Sequence, residues 1–340
     1  MKIGLFLTNQ HQSNTDMIAR LEEQYVMTHH ARDNGWNSLF SGQHYLNEGN
    51  QQLQLVPFLS RLQAEAGDMA LGLGILLSSL HNPVYMAETI ASLDVISKGN
   101  FICGIGLGYR DIEFDAFGVI SGQRVKRFEE SLNLIKRLWT EENVSFHSDY
   151  CNLNNVTMQL KPIQKPYPPI WIAANNDNAV KRAARLSDAW LINPHATSET
   201  VIQQMKLFIQ ERNKANLPPP KEIPAFREIF CAKDRPTAIK IAGHFISKKY
   251  AAYSAWGQDK VMPTEENFAQ PFDDLLIDRF VLGSPEECFE QLKPLWEQCG
   301  VNHFIFRTHW AGMPLETSMS SMQLISDELI PLLNQIPHNT

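Results

Sequence analysis

The chain has 340 residues, of which 44% are apolar and 20% charged, and carries a formal net charge of -7. This is the composition of a folded globular chain and excludes fibrous and low-complexity classes. A negative balance with no lysine- and arginine-rich run excludes a nucleic-acid footprint and disfavours acidic membrane surfaces.

The opening MKIGLFLTNQ has too short an apolar run for a secretory signal, and no stretch of about 18 apolar residues follows. The five cysteines, Cys103, Cys151, Cys231, Cys288 and Cys299, are scattered without a C-x-x-C pair. The expectation is a cytoplasmic protein with reduced thiols and no metal centre.

KIGLFL reads as a first strand, and Thr15 to Asp33 as a helix capped by Thr15 or Asp16. NSLFSGQHY is a second strand and Gln51 to Glu65 a helix. ALGLGILL is a third strand, followed by a helix from Asn82 to Ile96. FICGIG is a fourth, and Gln123 to Trp139 is strongly amphipathic. PIWIAA, DAWLIN, FREIFCA and HFIFRT complete eight strands. Helices follow the fifth and sixth at Asp177 to Leu186 and about Ser198 to Asn213.

Eight strand–helix units imply a parallel sheet with right-handed crossovers, closed as a (β/α)8 TIM barrel. Residues 1–340 are expected to form one domain with two insertions. The first, at about 143–168, contains the hairpin-like VSFHSDYCNL. The second, at about 251–275, is polar with several aromatic residues.

FICGIGLGYR places Gly104, Gly106 and Gly108 at alternate positions. A dinucleotide fingerprint needs G-x-G-x-x-G between a first strand and its helix. Here the spacing is G-x-G-x-G after the fourth strand, and YRDIEFDAFGV delays the helix. The glycines therefore either relieve crowding at a strand end or admit a ligand close to the backbone.

ISKGNFICGIGLGYRDIEFDAFGV, followed by RVKRFEESLNLIKRLWTEENVSF, resembles the bacterial luciferase-like family of flavin-dependent oxidoreductases. MKIGLFL, DNGWNSLFSGQHYL, LKPIQKPYPPIWIAANN and RFVLGSPEECFEQL extend the resemblance over nearly the whole chain. Three positions depart from the pattern. Gln43 stands where many members have a glutamate, Asn100 where an arginine usually follows the glycine, and Leu107 where luciferase has a phosphate-contacting arginine.

The resemblance implies a (β/α)8 barrel with the site at the C-terminal ends of the strands. His44 matches the histidine near the reactive edge of the flavin, a position for a general acid or base. Gly74-Ile75 matches a position that often carries a non-prolyl cis peptide under the flavin ring. Gly106, Gly108 and Tyr109 would approach the ring. Asn175 and Asn176, leading into a helix, would seat the flavin phosphate, with Asp177 capping the helix and pointing away.

Arg227, Arg279 and Arg307 could hold an anionic substrate or peroxide, Arg227 and Arg307 being catalytic candidates beside His44, or form rim salt bridges. Arg110, Glu113 and Arg127 read as an ion cluster, and His195 as a pocket residue. His303 and His309 read as one strand face.

By resemblance the function is an FMN-dependent monooxygenase. It uses reduced FMN and O2 on a small organic substrate, takes its flavin from a separate reductase, and forms a homodimer. Two alternatives stay open. One is a deazaflavin-dependent reductase or dehydrogenase on the same barrel. The other is a non-catalytic flavin-binding protein.

Overall fold

The computed structural model describes residues 1–264 and 266–336. Position 265, inside the second expected insertion, and positions 337–340, in the expected domain 1–340, lie outside the described residues. Eight parallel strands form the barrel: β1 (Lys2–Phe6), β2 (Ser38–Ser41), β3 (Ala70–Leu73), β4 (Phe101–Gly106), β5 (Ile170–Ala174), β6 (Ala189–Ile192), β7 (Pro224–Cys231) and β8 (His303–Arg307). Each pairs with the next, and β8 returns to β1 through Lys2↔His303 and Ile3↔Phe304. The expected (β/α)8 barrel is therefore closed.

The outer helices include α1 (Met17–Asp33), α2 (Leu55–Leu62), α3 (Pro83–Ile96), α4 (Arg124–Thr140), α5 (Asp177–Leu186), α6 (Ser198–Lys214), α7 (Arg235–Ala255) and α8 (Pro285–Cys299). Asp16 caps α1 by accepting from Ile18 and Ala19, so the aspartate rather than Thr15 starts this helix. Asn82 caps α3 through Val84, with Pro83 at the first helical position. The helix expected at Gln51 to Glu65 is shorter. Asn50–Gln52 instead pairs antiparallel with Gln10–Gln12, a partner 40 residues upstream that local periodicity does not reveal.

Packing inside the barrel sets one end apart from the other. Phe40, Trp171, Phe226 and Ile305 fill the interior. At the N-terminal end, buried His303 lies 2.7 Å from Ser38 Oγ and 3.2 Å from Glu222 Oε2. His309 lies beyond the other end of β8, where its Nε2 is 2.9 Å from the Met313 carbonyl. The two histidines thus do not share a strand face, because β8 ends between them.

The first insertion is the expected hairpin, Val144–His147 against Asn152–Val156. The second begins as the last turn of α7 and contains a 3-10 turn at Asp259–Val261 and a short helix at Phe272–Leu275. It lies at the C-terminal ends of the strands, where β–α loops build sites.

Candidate functional site

A cavity of about 280 Å3 opens at the C-terminal end of the barrel. His44, Gly74, Ile75, Gly106, Gly108, Tyr109, Asn175, Asn176, Arg227 and Arg307 all line it. Topology brings these dispersed residues together, since each lies on or just beyond a strand of one barrel. His195 joins them, whereas Arg279 is committed elsewhere. Its guanidinium meets Glu266 Oε2 at 2.7 Å and donates to the His195 carbonyl.

The Gly74–Ile75 peptide is cis. A Cβ on Gly106 would overlap the Ile75 side chain, so glycine here seats Ile75 as well as keeping the cavity wall thin. Gly108 has φ +81°, a left-handed conformation that favours glycine.

His44 is held by a carboxylate. Its Nδ1 is 3.2 Å from Glu113 Oε1, which also accepts from the Tyr45 N–H at 2.9 Å and Arg110 Nη1 at 3.3 Å. A carboxylate only accepts, so Nδ1 carries the hydrogen and Nε2 is the nitrogen left for a ligand. The ion cluster expected of Arg110, Glu113 and Arg127 is therefore altered. Arg127 stacks on the Tyr150 ring at 4.4 Å, and His44 takes its place.

Over His44 sits an aromatic cap from the end of α7 and the second insertion. Trp256 lies 5.7 Å and Tyr253 6.4 Å from the imidazole, centroid to centroid, and the two stack on one another. The Arg110 guanidinium lies 4.5 Å from the centroid of Trp256. The cap is thus fastened to the pair that orients His44.

At the other end of the cavity, α5 starts. Its cap is Asn176, not Asp177: Asn176 Oδ1 accepts from Ala179 at 3.1 Å, and its Nδ2 donates to the Val261 carbonyl at 3.2 Å. That side chain is therefore already engaged by the protein. Asp177 instead accepts from Gln204 at 3.2 Å. Arg124 and Arg182 also line the cavity. Sequence reading missed both because each looks like an ordinary exposed helix cation. Arg182 is i+6 from Asn176, and Arg124 comes from a different unit.

Three buried polar atoms of the lining have no partner among the described residues: Tyr109 Oη, Asn193 Nδ2 and Arg227 Nη2. Burial pushes the Tyr109 phenol well up and Arg227 down to about 10. All three are donors at neutral pH, and a buried donor left unpaired is costly.

The match to the luciferase-like monooxygenase model covers residues 1–303. The chain belongs to that family. It is 24% identical to the oxygenase component of a flavin-dependent trigonelline monooxygenase of Acinetobacter baylyi, over 98% of this chain and 96% of the relative. It is equally 24% identical to an F420-dependent glucose-6-phosphate dehydrogenase of Amycolatopsis mediterranei, over 90% and 92% of the two chains. A crystallised monooxygenase of Streptomyces bottropensis superposes with a TM-score of 0.85 at 23% identity, covering 98% and 99%. Among the described residues no helix of this family member is long and apolar enough to cross a membrane.

Proposed function

We propose that this protein is the oxygenase component of a two-component monooxygenase. It takes reduced FMN from a separate reductase and uses O2 on a small organic substrate. The observation that carries the cofactor class is the set of unpartnered buried donors Tyr109, Asn193 and Arg227 in one cavity. A flavin ring presents carbonyl oxygens and ring nitrogens, the acceptors such donors lack. Gly74, Ile75, Gly106, Gly108 and Tyr109 would hold the ring. Asn175, Arg124, Arg182 and the N-terminal amides of α5 would hold the phosphate. An oxygenase is favoured over a hydride-transferring enzyme by the oxygenase relative that matches almost end to end.

Reduced FMN, when bound, supplies the electrons that activate O2. The protein's own residues do the rest. Glu113 fixes the His44 tautomer, leaving Nε2 to accept or return a proton at the reacting centre. Tyr253 and Trp256 pack against the imidazole and would help keep water out. Arg227 and Arg307 add positive charge to the cavity lining. A homodimer through α3, where Tyr85, Val95 and Ile96 are exposed, completes the reading, as does a cytoplasmic location.

Anaerobic titration with reduced FMN and, separately, reduced F420 tests the reading, followed by mixing with O2. The expected result is micromolar binding of reduced FMN and O2 consumption that depends on the protein. Preferred binding of F420, with hydride transfer and no O2 consumption, would replace it with the dehydrogenase reading. Flavin binding with neither O2 consumption nor hydride transfer leaves the non-catalytic flavin-binding alternative, and binding of neither cofactor defeats all three readings.

A further inference from the structure

A second recess of about 240 Å3 adjoins the main cavity and shares Thr8, Gln10, Tyr253 and Arg307 with it. Its lining contains three cations, Lys248, Lys249 and Arg307, and no carboxylate among the described residues. Lys248 stands at the exposed rim, and Lys249 and Arg307 lie deeper.

Behind them one carboxylate serves two cations. Glu228 is fully buried, pairs with Lys249, and lies 3.7 Å from Arg307 Nη1. Burial, opposed by Glu228, pushes the Lys249 amine down to about 7. The Lys249 ammonium also faces the Tyr250 and Tyr253 rings at 4.9 and 4.7 Å. Lys249 and Arg307 share this single carboxylate, so an incoming anion would pair with Arg307 and favour the charged form of Lys249.

The remaining lining mixes the polar side chains of Thr8, Gln10, Gln12 and Asn50 with aromatic ones. Trp256 and Trp310 line the recess, and the buried Trp310 indole N–H has no partner among the described residues. The recess therefore combines two basic side chains that share one carboxylate, aromatic side chains and a spare donor.

We propose that this recess binds an aromatic carboxylic acid as the substrate. Arg307 and Lys249 take the carboxylate, and Trp256 and Trp310 the ring. Arg307 lines both cavities, so the acid is anchored where the recess opens onto the cofactor cavity. The proposal rests on the monooxygenase reading for what happens next, but binding does not require it.

Calorimetric titration of the purified protein with benzoate, 1-naphthoate and indole-3-carboxylate, each against its neutral amide, tests the site. At least one acid should bind ten times or more tighter than its amide. Lys249→Met should weaken that acid about tenfold, which corresponds to about 1.4 kcal/mol, and Lys249→Arg should restore it. Trp310→Phe keeps a ring and removes the N–H, so it should cost a few-fold and serves where Lys249→Met does not fold. Equal binding of acids and amides, no binding of any of the three acids, or unchanged affinity in the variants that fold would overturn the proposal. Reduced FMN titration is run in parallel. Acid binding without flavin binding would defeat the monooxygenase reading alone, and flavin binding with indifference to the acids would defeat the recess alone.

Discussion

His44 Nδ1 lies 3.2 Å from Glu113 Oε1, a contact between residues 69 apart in the chain. Arg110 and the Tyr45 N–H converge on the same oxygen, so the carboxylate is fixed before it meets the imidazole. His44 is thereby held in one tautomer and one orientation at the cavity wall.

Replacing His44 with alanine removes the proton carrier and leaves the α5 end of the cavity untouched. Turnover should fall by about 10²–10⁴, the usual range for losing a general acid or base. Reduced FMN should bind within a few-fold of wild type. Glu113→Gln keeps the volume and releases the tautomer, so it should reduce turnover by a smaller factor. Equilibrium titration and single-turnover mixing with O2 separate the two quantities. Turnover near wild type in His44→Ala would make His44 a wall residue only.

Arg182 bonds Glu129 Oε1 at 3.1 Å and still lines the cavity near the start of α5. A charge-assisted bond to a phosphate contributes about 1.5–3 kcal/mol. Arg182→Ala should therefore weaken reduced FMN by about 10- to 100-fold and leave reduced riboflavin, which has no phosphate, nearly unchanged. An equal loss for both flavins would remove Arg182 from the phosphate seat.

The chain after Ala255 forms short turns, with Lys260 exposed among them. Trp256 at its start and Tyr253 on the last turn of α7 cap His44. A segment that must open for ligand to enter should be cut there first. Limited trypsinolysis should cleave after Lys260, and reduced FMN should slow the cut several-fold. Cleavage at the same rate with and without ligand counts against a closing cap.

His309 and His11 face one another at 6.4 Å, centroid to centroid, and burial pushes each down to about 4. The unfolded chain binds these protons at about 6.5, and the folded chain does not until about 4. Stability therefore rises with pH across that window and is lost as pH falls through it. Each such proton changes stability by about 1.4 kcal/mol per pH unit. Melting temperature should drop between pH 6.5 and 4.5, and His309→Gln should flatten the slope. A parallel slope in that variant would assign the acid sensitivity to other groups.

The barrel was legible because its units are local. Each strand–helix pair has its own periodicity, and caps such as Asp16 and Asn82 sit beside the helices they start. Errors arose where a neighbour in space replaced a neighbour in sequence. Asn50–Gln52 leaves the expected helix to pair with Gln10–Gln12. Asn176 takes the cap expected of Asp177, because Asp177 is drawn to Gln204 on α6.

For the site, the family resemblance pointed to His44 and Asn175, and position at a strand end to Arg307; all three line the one cavity. Glu113 was legible as a partner of Arg110, but nothing local joined it to His44, and nothing local distinguishes Lys249 from Lys248 beside it. On α7 the adjacent lysines differ by about 100° of helix rotation, which turns Lys248 outward and Lys249 toward Glu228. The sequence by itself determined the barrel and the strand ends that bear the site, since both follow from short-range pattern. Which charges meet there was decided only when β7 paired with β8 and set Glu228 beside Arg307, 79 residues away in the chain, at the same wall as Lys249.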